Sequence, residues 1–444
     1  MIEIRPVALD ETLDPEELHA EFERRARERR ERARARRRSG PRLTRSARRR
    51  GATAELRHLA ATPAGRILVG ACAVIAVLTV VGLVALWPDG EPDREPSQAF
   101  GGATEPARVE AVREVRCAGP TAQRCRQIIV GVGGARSPIT LGPVTASPVL
   151  EVGQPIRVAP MQLPPGAEPG PGAEDYAFVD VARHGALLVM GVALALLALV
   201  LLWWRGLLAA LGVVLSIVLL TTFLVPALLQ GRPGLLTALV AALAVMFVTL
   251  LLTNGLGAQT LAAALGVSAT LLLISALAAL CVSLAHLDGR SNELSLLLSQ
   301  QNRDVSLRGI VLAGMVIGAL GVLADTAVTQ ASAVMALRRT DPRLGARGLY
   351  RRAFVIGRDH LSATIHTLVL AYAGATLPLL LVMRSSGVNA TDALNAQDIA
   401  EPVVAGVVGC IALIAAVPLT TGLAALLIVR VPAELIHDGH GHHH

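Results

Sequence analysis

The chain alternates long apolar blocks with short charged ones. A run of about 20 residues with few or no charges can cross the roughly 30 Å hydrocarbon core as a helix. Eight stretches meet that test: Ile67 to Trp87, Gly185 to Leu202, Leu207 to Leu229, Leu235 to Thr253, Thr260 to Ala285, Gly309 to Leu337, Leu361 to Met383 and Val403 to Val429. The first is longer than a secretory h-region and follows a long basic arm, so it reads as an uncleaved anchor. Between the first two spans the texture changes to short β-branched runs punctuated by Gly and Pro. These predict strands at Arg108 to Cys117, Arg126 to Val132, Ile139 to Val144, Ile156 to Ala159 and Tyr176 to Ala182. Gly131, Gly133 and Gly134 read as turn residues, because no Lys-Ser/Thr pair or helical pattern follows as a phosphate loop needs. Pro160 to Gly172 reads as a linker into span two.

The expected fold class is an α-helical polytopic membrane protein, with about eight transmembrane helices and a small extracytoplasmic β-domain between helices 1 and 2. The expected organisation is an Arg-rich cytoplasmic arm (1–65), helix 1 (66–87), the β-rich domain and linker (88–183), a seven-helix membrane domain (184–430) and a cytoplasmic His-rich tail (431–444). Composition agrees: 53% of residues are hydrophobic, 3% aromatic, and the net charge is +7, which excludes a disordered chain and argues against a single soluble domain.

The 41 basic residues are all arginine, and their placement sets the expected threading. Cytoplasmic loops retain cations. With the N-terminus cytoplasmic, the connection between spans six and seven is cytoplasmic too, and it holds Arg338, Arg339, Arg343, Arg347, Arg351, Arg352 and Arg358. The short outer connections then hold only Arg232, Arg290, Arg303, Arg308 and Arg384. Both termini are therefore expected on the cytoplasmic side of the membrane. Cys72, Cys281 and Cys410 lie within spans as small apolar residues. Cys117 and Cys125 fall in the outer segment, where disulfides persist, and are expected to bond.

The arm begins with a helix signal, Asp14 as N-cap, Pro15 in the first turn and Glu17 three residues after the cap. From Arg24 to Arg50 it carries fifteen arginines and few apolar residues, so it cannot bury a core. Two readings stay open: a solvated topology signal, or contact with anionic lipid head groups at about 1 kcal/mol per arginine. Nucleic acid is not expected, because Phe22 is the only aromatic residue available to stack on bases. His437, Asp438, His440, His442, His443 and His444 could bind transition metals only weakly on a floppy tail, so no metal site and no cofactor is expected.

An ionisable side chain near mid-bilayer costs at least about 2.5–3.5 kcal/mol and needs a partner or a role. Asp325 is the one carboxylate placed so within the eight spans. It continues a run of Gly314, Gly318 and Gly321, followed by Thr329 and Ser332, whose steps of three and four share one helical face. The glycines are expected to admit a neighbouring helix, leaving Asp325 toward packed helices or a wet cavity. In span seven His366 is the other notable group. If spans six and seven form a hairpin, Asp325 lies about 18 Å from its closed end and level with Tyr372, while Thr329 and Gln330 lie nearer His366. The candidate site is thus a polar ladder of Asp325, Thr329, Gln330, His366, Thr367 and Tyr372, able to carry protons. A buried Asp that only locks helix register remains the competing reading. Pro226, Pro378 and Pro418 fall inside spans, and Thr420 and Thr421 follow Pro418 closely; kinks and an ion site both fit.

The segment NRDVSLRGIVLAGMVIGALGVLADTAVTQASAVMAL (302–337), followed by GRDHLSATIHTLVLAYAGATLPLLLV (357–382), resembles the YibE/F family of bacterial multi-pass membrane proteins. The similarity takes in roughly residues 105 to 430. It implies an integral membrane protein without an established substrate. The leading expectation is a transporter or permease using the polar site in spans six and seven. The alternative is a noncatalytic scaffold docking partners through its outer β-domain and basic arm. An enzyme is not expected: no second intramembrane carboxylate accompanies Asp325, and Gly266 is followed by Val267, Ser268 and Ala269 rather than a GxSG motif.

Overall fold

The computed structural model describes residues 60–90, 104–117, 123–161, 175–290 and 305–431. The arm up to residue 59, including the helix expected after Asp14, the linker beyond Met161 and the histidine tail lie outside the described residues.

Five strands form one antiparallel sheet in the order β3-β2-β1-β4-β5: β1 Glu105–Arg116, β2 Arg124–Val132, β3 Ala135–Pro143, β4 Pro155–Pro160 and β5 Tyr176–Val181. Alternation places Val109, Ile128, Val130, Ile139, Ile156 and Val158 in one core, as a sheet with one buried face requires. The edge strands β3 and β5 approach each other, so the sheet rolls into a half-barrel. Val132 pairs with Ala135 across a two-residue turn in which Gly133 and Gly134 both have positive φ (57° and 90°), a hairpin turn that glycine enters without strain. Cys117 and Cys125 are disulfide-bonded across the β1–β2 connection. After β5, Arg183 bonds the Asp180 carboxylate at 2.6 Å, and the Val181 amide donates to the same carboxylate at 2.7 Å. Arg183 first, then that amide, holds the Asp180 carboxyl below its ordinary range.

The helices are α1 Pro63–Ala85, α2 His184–Leu202, α3 Trp204–Leu219, α4 Val225–Leu229, α5 Gly234–Asn254, α6 Ala258–Leu284, α7 Leu307–Thr340, α8 Ala346–Ser385, α9 Ala390–Asn395 and α10 Gln397–Ile428. Among the described residues they supply eight segments long and apolar enough to cross a membrane. Local chemistry sets several ends. Thr62 caps α1 by accepting from the Gly65 amide with Pro63 at the first turn, and Ser306 caps α7 by accepting from the Gly309 amide. Span three is α3, one π-helical turn (Leu220–Leu224) and α4, with Pro226 just beyond the irregular turn. Pro378 and Pro418 instead lie inside helices that continue through them.

Helices α5, α6, α7 and α10 form the packed interior, whereas α2 buries no residue. Lipid is as apolar as leucine, so close packing rests on small residues. A Cβ on Gly234 of α5 would fall 2.4 Å from the Gly309 carbonyl oxygen of α7, so these helices meet backbone to backbone.

One element departs from the sequence reading. The connection between spans six and seven is no seven-arginine loop: α7 runs to Thr340 and α8 starts at Ala346, fifteen residues before the expected Leu361. In this extension Leu349, Ala353 and Gly357 are buried at helical spacing, while Arg351 and Arg352 are exposed. The first charged residues end a hydrophobic window but do not end an amphipathic helix.

Candidate functional site

Helix α7 has two chemically different faces. Gly314, Gly318, Gly321 and Asp325 are exposed, and Thr329 is half-buried beside them. About 100° further round per residue, Thr326 and Gln330 turn into the interior, each fully buried. The hairpin with α8 then decides which side chains meet.

Asp325 lies alongside His360, with Nε2 4.0 Å from the carboxylate Oδ2; the side chains are 72% and 37% exposed for Asp325 and His360 respectively. At that distance the two are an ion pair when His360 is protonated and not a hydrogen bond. Tyr372, expected level with Asp325, instead sits against Gly318, its hydroxyl 3.1 Å from where a Cβ would stand. The correction follows from the longer α8. Its early start, less the three residues that α7 gains, brings the hairpin turn to residues 341–345 and shifts the residue of α8 level with Asp325 by twelve positions, about 18 Å.

The contact between α5 and α7 gives Asp325 a position relative to α5. Helix α5, 21 residues and about 31 Å long, matches the hydrocarbon core. Gly234 at its start meets Gly309, so its last residue, Asn254, falls level with Thr329 of α7. Asp325 is four residues inside that level, about 6 Å. On the neighbouring helix α8 it lies level with His360.

The remaining ladder residues do not converge on Asp325. His366 Nδ1 donates to the Ser362 carbonyl at 2.6 Å and Thr367 donates to the Ala363 carbonyl at 3.1 Å, both on the exposed side of α8. Thr329 donates to the Asp325 backbone carbonyl at 2.8 Å. Gln330 faces the interior, where its Oε1 accepts from Thr421 of α10 at 3.0 Å. Gly357 of α8 makes room for that amide: a Cβ there would fall 2.6 Å from Oε1.

Two groups of this neighbourhood escaped the sequence reading. His360 stood outside the expected span, and extending the helix past Arg358 would have found it. Thr326 carries no signal beyond an ordinary threonine in an apolar run. Among the described residues no three His, Cys, Asp or Glu side chains are grouped as metal ligands. What the arrangement offers chemically is an exposed carboxylate with the buried Nε2 of an imidazole at ion-pair distance, on a glycine-smoothed face.

Comparison with known proteins gives one result. The family model described as YibE/F-like protein matches residues 190–430, beginning within α2, so the β-domain that the sequence resemblance took in lies outside the matched segment. No curated protein and no solved structure gives a significant match.

Proposed function

Since the chain belongs to the YibE/F-like family and is an integral membrane protein with eight apolar helices, we propose that it is a transporter or permease whose proton- or ion-binding group is Asp325. The observation that carries this reading is the Asp325–His360 pair, held 4.0 Å apart on the open side of α7 and α8.

In this reading a carboxylate within a span needs a counter-charge, and a bound proton or cation supplies it. His360 stands beside the carboxylate at ion-pair distance. Beyond Asp325, Gly321, Gly318 and Gly314 continue the same face without side chains, which leaves a smooth track for a cargo, and the Tyr372 hydroxyl beside Gly318 adds a polar stop along it. In this reading the arginine-rich end faces the cytoplasm of a bacterial inner membrane, both termini are cytoplasmic, and the basic arm contacts anionic head groups. The β-domain stands on the outer side as a gate or recruiter.

The test is reconstitution into vesicles that enclose a pH-sensitive dye, with a panel of salts supplied outside. The wild-type chain should dissipate an imposed pH gradient with at least one salt, and Asp325→Asn should not at equal incorporation. If Asp325→Asn matches the wild type for every active salt, the assignment is wrong. A chain inert with every salt, but able to capture a protein partner only while residues 88–183 are present, would favour the scaffold.

A further inference from the structure

Helix α8 is 40 residues long, about 60 Å, twice the roughly 30 Å of the hydrocarbon core. To fit wholly inside, it would have to lean by about 60°, beyond the range of about 0–40° that spanning helices adopt. At least one end therefore stands outside the hydrocarbon. The cost of burying arginine selects the first end, which carries Arg347, Arg351, Arg352 and Arg358.

That first end is amphipathic and held in place. Leu349, Ala353 and Gly357 are its buried stripe, and Gly357 lies against Gln330 of α7, for a Cβ there would fall 2.6 Å from the amide oxygen. Arg338 closes the preceding turn by donating to the Leu344 carbonyl at 2.9 Å. On the opposite side of α8, Arg347, Arg351, Val355 and Arg358 are all exposed, and their steps of four, four and three put them in one line. Asp341 is taken by Arg352 at 3.6 Å, and Asp359 stands about 100° round the helix from Arg358. The line thus carries three positive charges and no negative one. It runs on through Ser362, Val369 and Ala373, also exposed, so a basic row about 16 Å long passes directly into a largely apolar one.

We propose that this line of α8 is a docking surface for anionic phospholipid, with head-group phosphates on Arg347, Arg351 and Arg358 and acyl chains along Val369 and Ala373. Charge complementarity names the head group, because guanidinium forks match phosphate oxygens. The apolar continuation names lipid as the source of the phosphate, since a free anion would engage the arginines alone. Val355, 51% exposed between Arg351 and Arg358, sets apolar surface within the basic row itself, the mixture with which a helix lies against a membrane interface. The row is presented by a helix already packed on the bundle, so docking does not have to order it. This surface is separate from the N-terminal arm and does not depend on the transport reading.

The test titrates the full-length chain, purified in a neutral detergent, with a short-chain phosphatidylglycerol or with phosphatidylcholine of the same chains, and counts bound lipid by native mass spectrometry. Wild type should bind phosphatidylglycerol at least about tenfold more tightly, given about fivefold for each arginine at a membrane surface. The triple variant Arg347→Gln, Arg351→Gln, Arg358→Gln should weaken phosphatidylglycerol at least about tenfold and leave phosphatidylcholine unchanged. Arg36→Gln, Arg37→Gln, Arg38→Gln takes the same charge from the N-terminal arm and should weaken it less. Equal losses in the two triple variants would reduce the effect to net charge and overturn the assignment, as would wild type binding both lipids alike. Glycerol phosphate, a head group without chains, should not displace the lipid at equal concentration; displacement would make the ligand a free anion. Should the triple variant not be recoverable, Arg351→Gln alone, a surface change, should cost about fivefold, and an unchanged affinity would refute the contact.

Discussion

The contact between α5 and α7 makes the depth of Asp325 directly testable. Replace Cys72, Cys281 and Cys410, the three free cysteines, then introduce Asp325→Cys or Gly321→Cys one at a time. Both positions are exposed on the same face of α7, and Gly321 has open space where a side chain would stand. With the end of α5 taken as the hydrocarbon boundary, position 325 is expected about 6 Å and position 321 about 12 Å inside it. A maleimide reacts with the thiolate, and each pKa unit of desolvation removes tenfold of it. The deeper thiol should therefore react at least about tenfold more slowly with a membrane-impermeant maleimide supplied from the arginine-rich side. Labelling rates in inverted and right-side-out vesicles give the comparison, with thiol content after solubilisation as the control. If position 325 is as protected as position 321 from both sides, the α5–α7 register does not report depth and Asp325 belongs in the middle of the bilayer.

Two further outcomes follow from packing and charge. Gly234→Ala should destabilise the bundle by about 1–3 kcal/mol, several degrees in melting temperature, because its Cβ meets the Gly309 backbone at 2.4 Å and the helices must part by about 1 Å. Gly309→Ala, whose nearest contacts are 3.2–3.3 Å, should cost visibly less, and thermal unfolding of the two side by side refutes the packing argument if the order reverses. At the β5–α2 junction, the Asp180 carboxyl is depressed in the folded state, so its contribution is full above the unfolded value of about 3.9 and disappears as pH falls through the lower folded value. The acid limb of stability against pH should be shallower in Asp180→Asn, and an unchanged limb would remove the Arg183 pairing as its cause.

The eight spans and five strands were legible because their signals are local. An apolar window of helical length and a period-two alternation each report on a few consecutive residues, and the hairpin glycines Gly133 and Gly134 declare their turn in the same way. Asp325 was legible too, as a charge in an apolar run, and so was the placement of Cys117 and Cys125. The partner of Asp325 was not. It depends on where α8 begins, and the arginines between Arg338 and Arg358 hid a helix whose buried stripe of Leu349, Ala353 and Gly357 is diluted by charge.

The order of hydrophobic and charged positions along this chain determined its class and element order, because transfer into lipid is additive over neighbouring residues. Tertiary packing alone decided that Asp325 meets His360, that Gln330 meets Thr421, and that Thr420 packs against Gly266. Those pairings follow from helix lengths and from contacts at Gly234, Gly266 and Gly357, where the missing side chain sets how closely and at what register two helices meet.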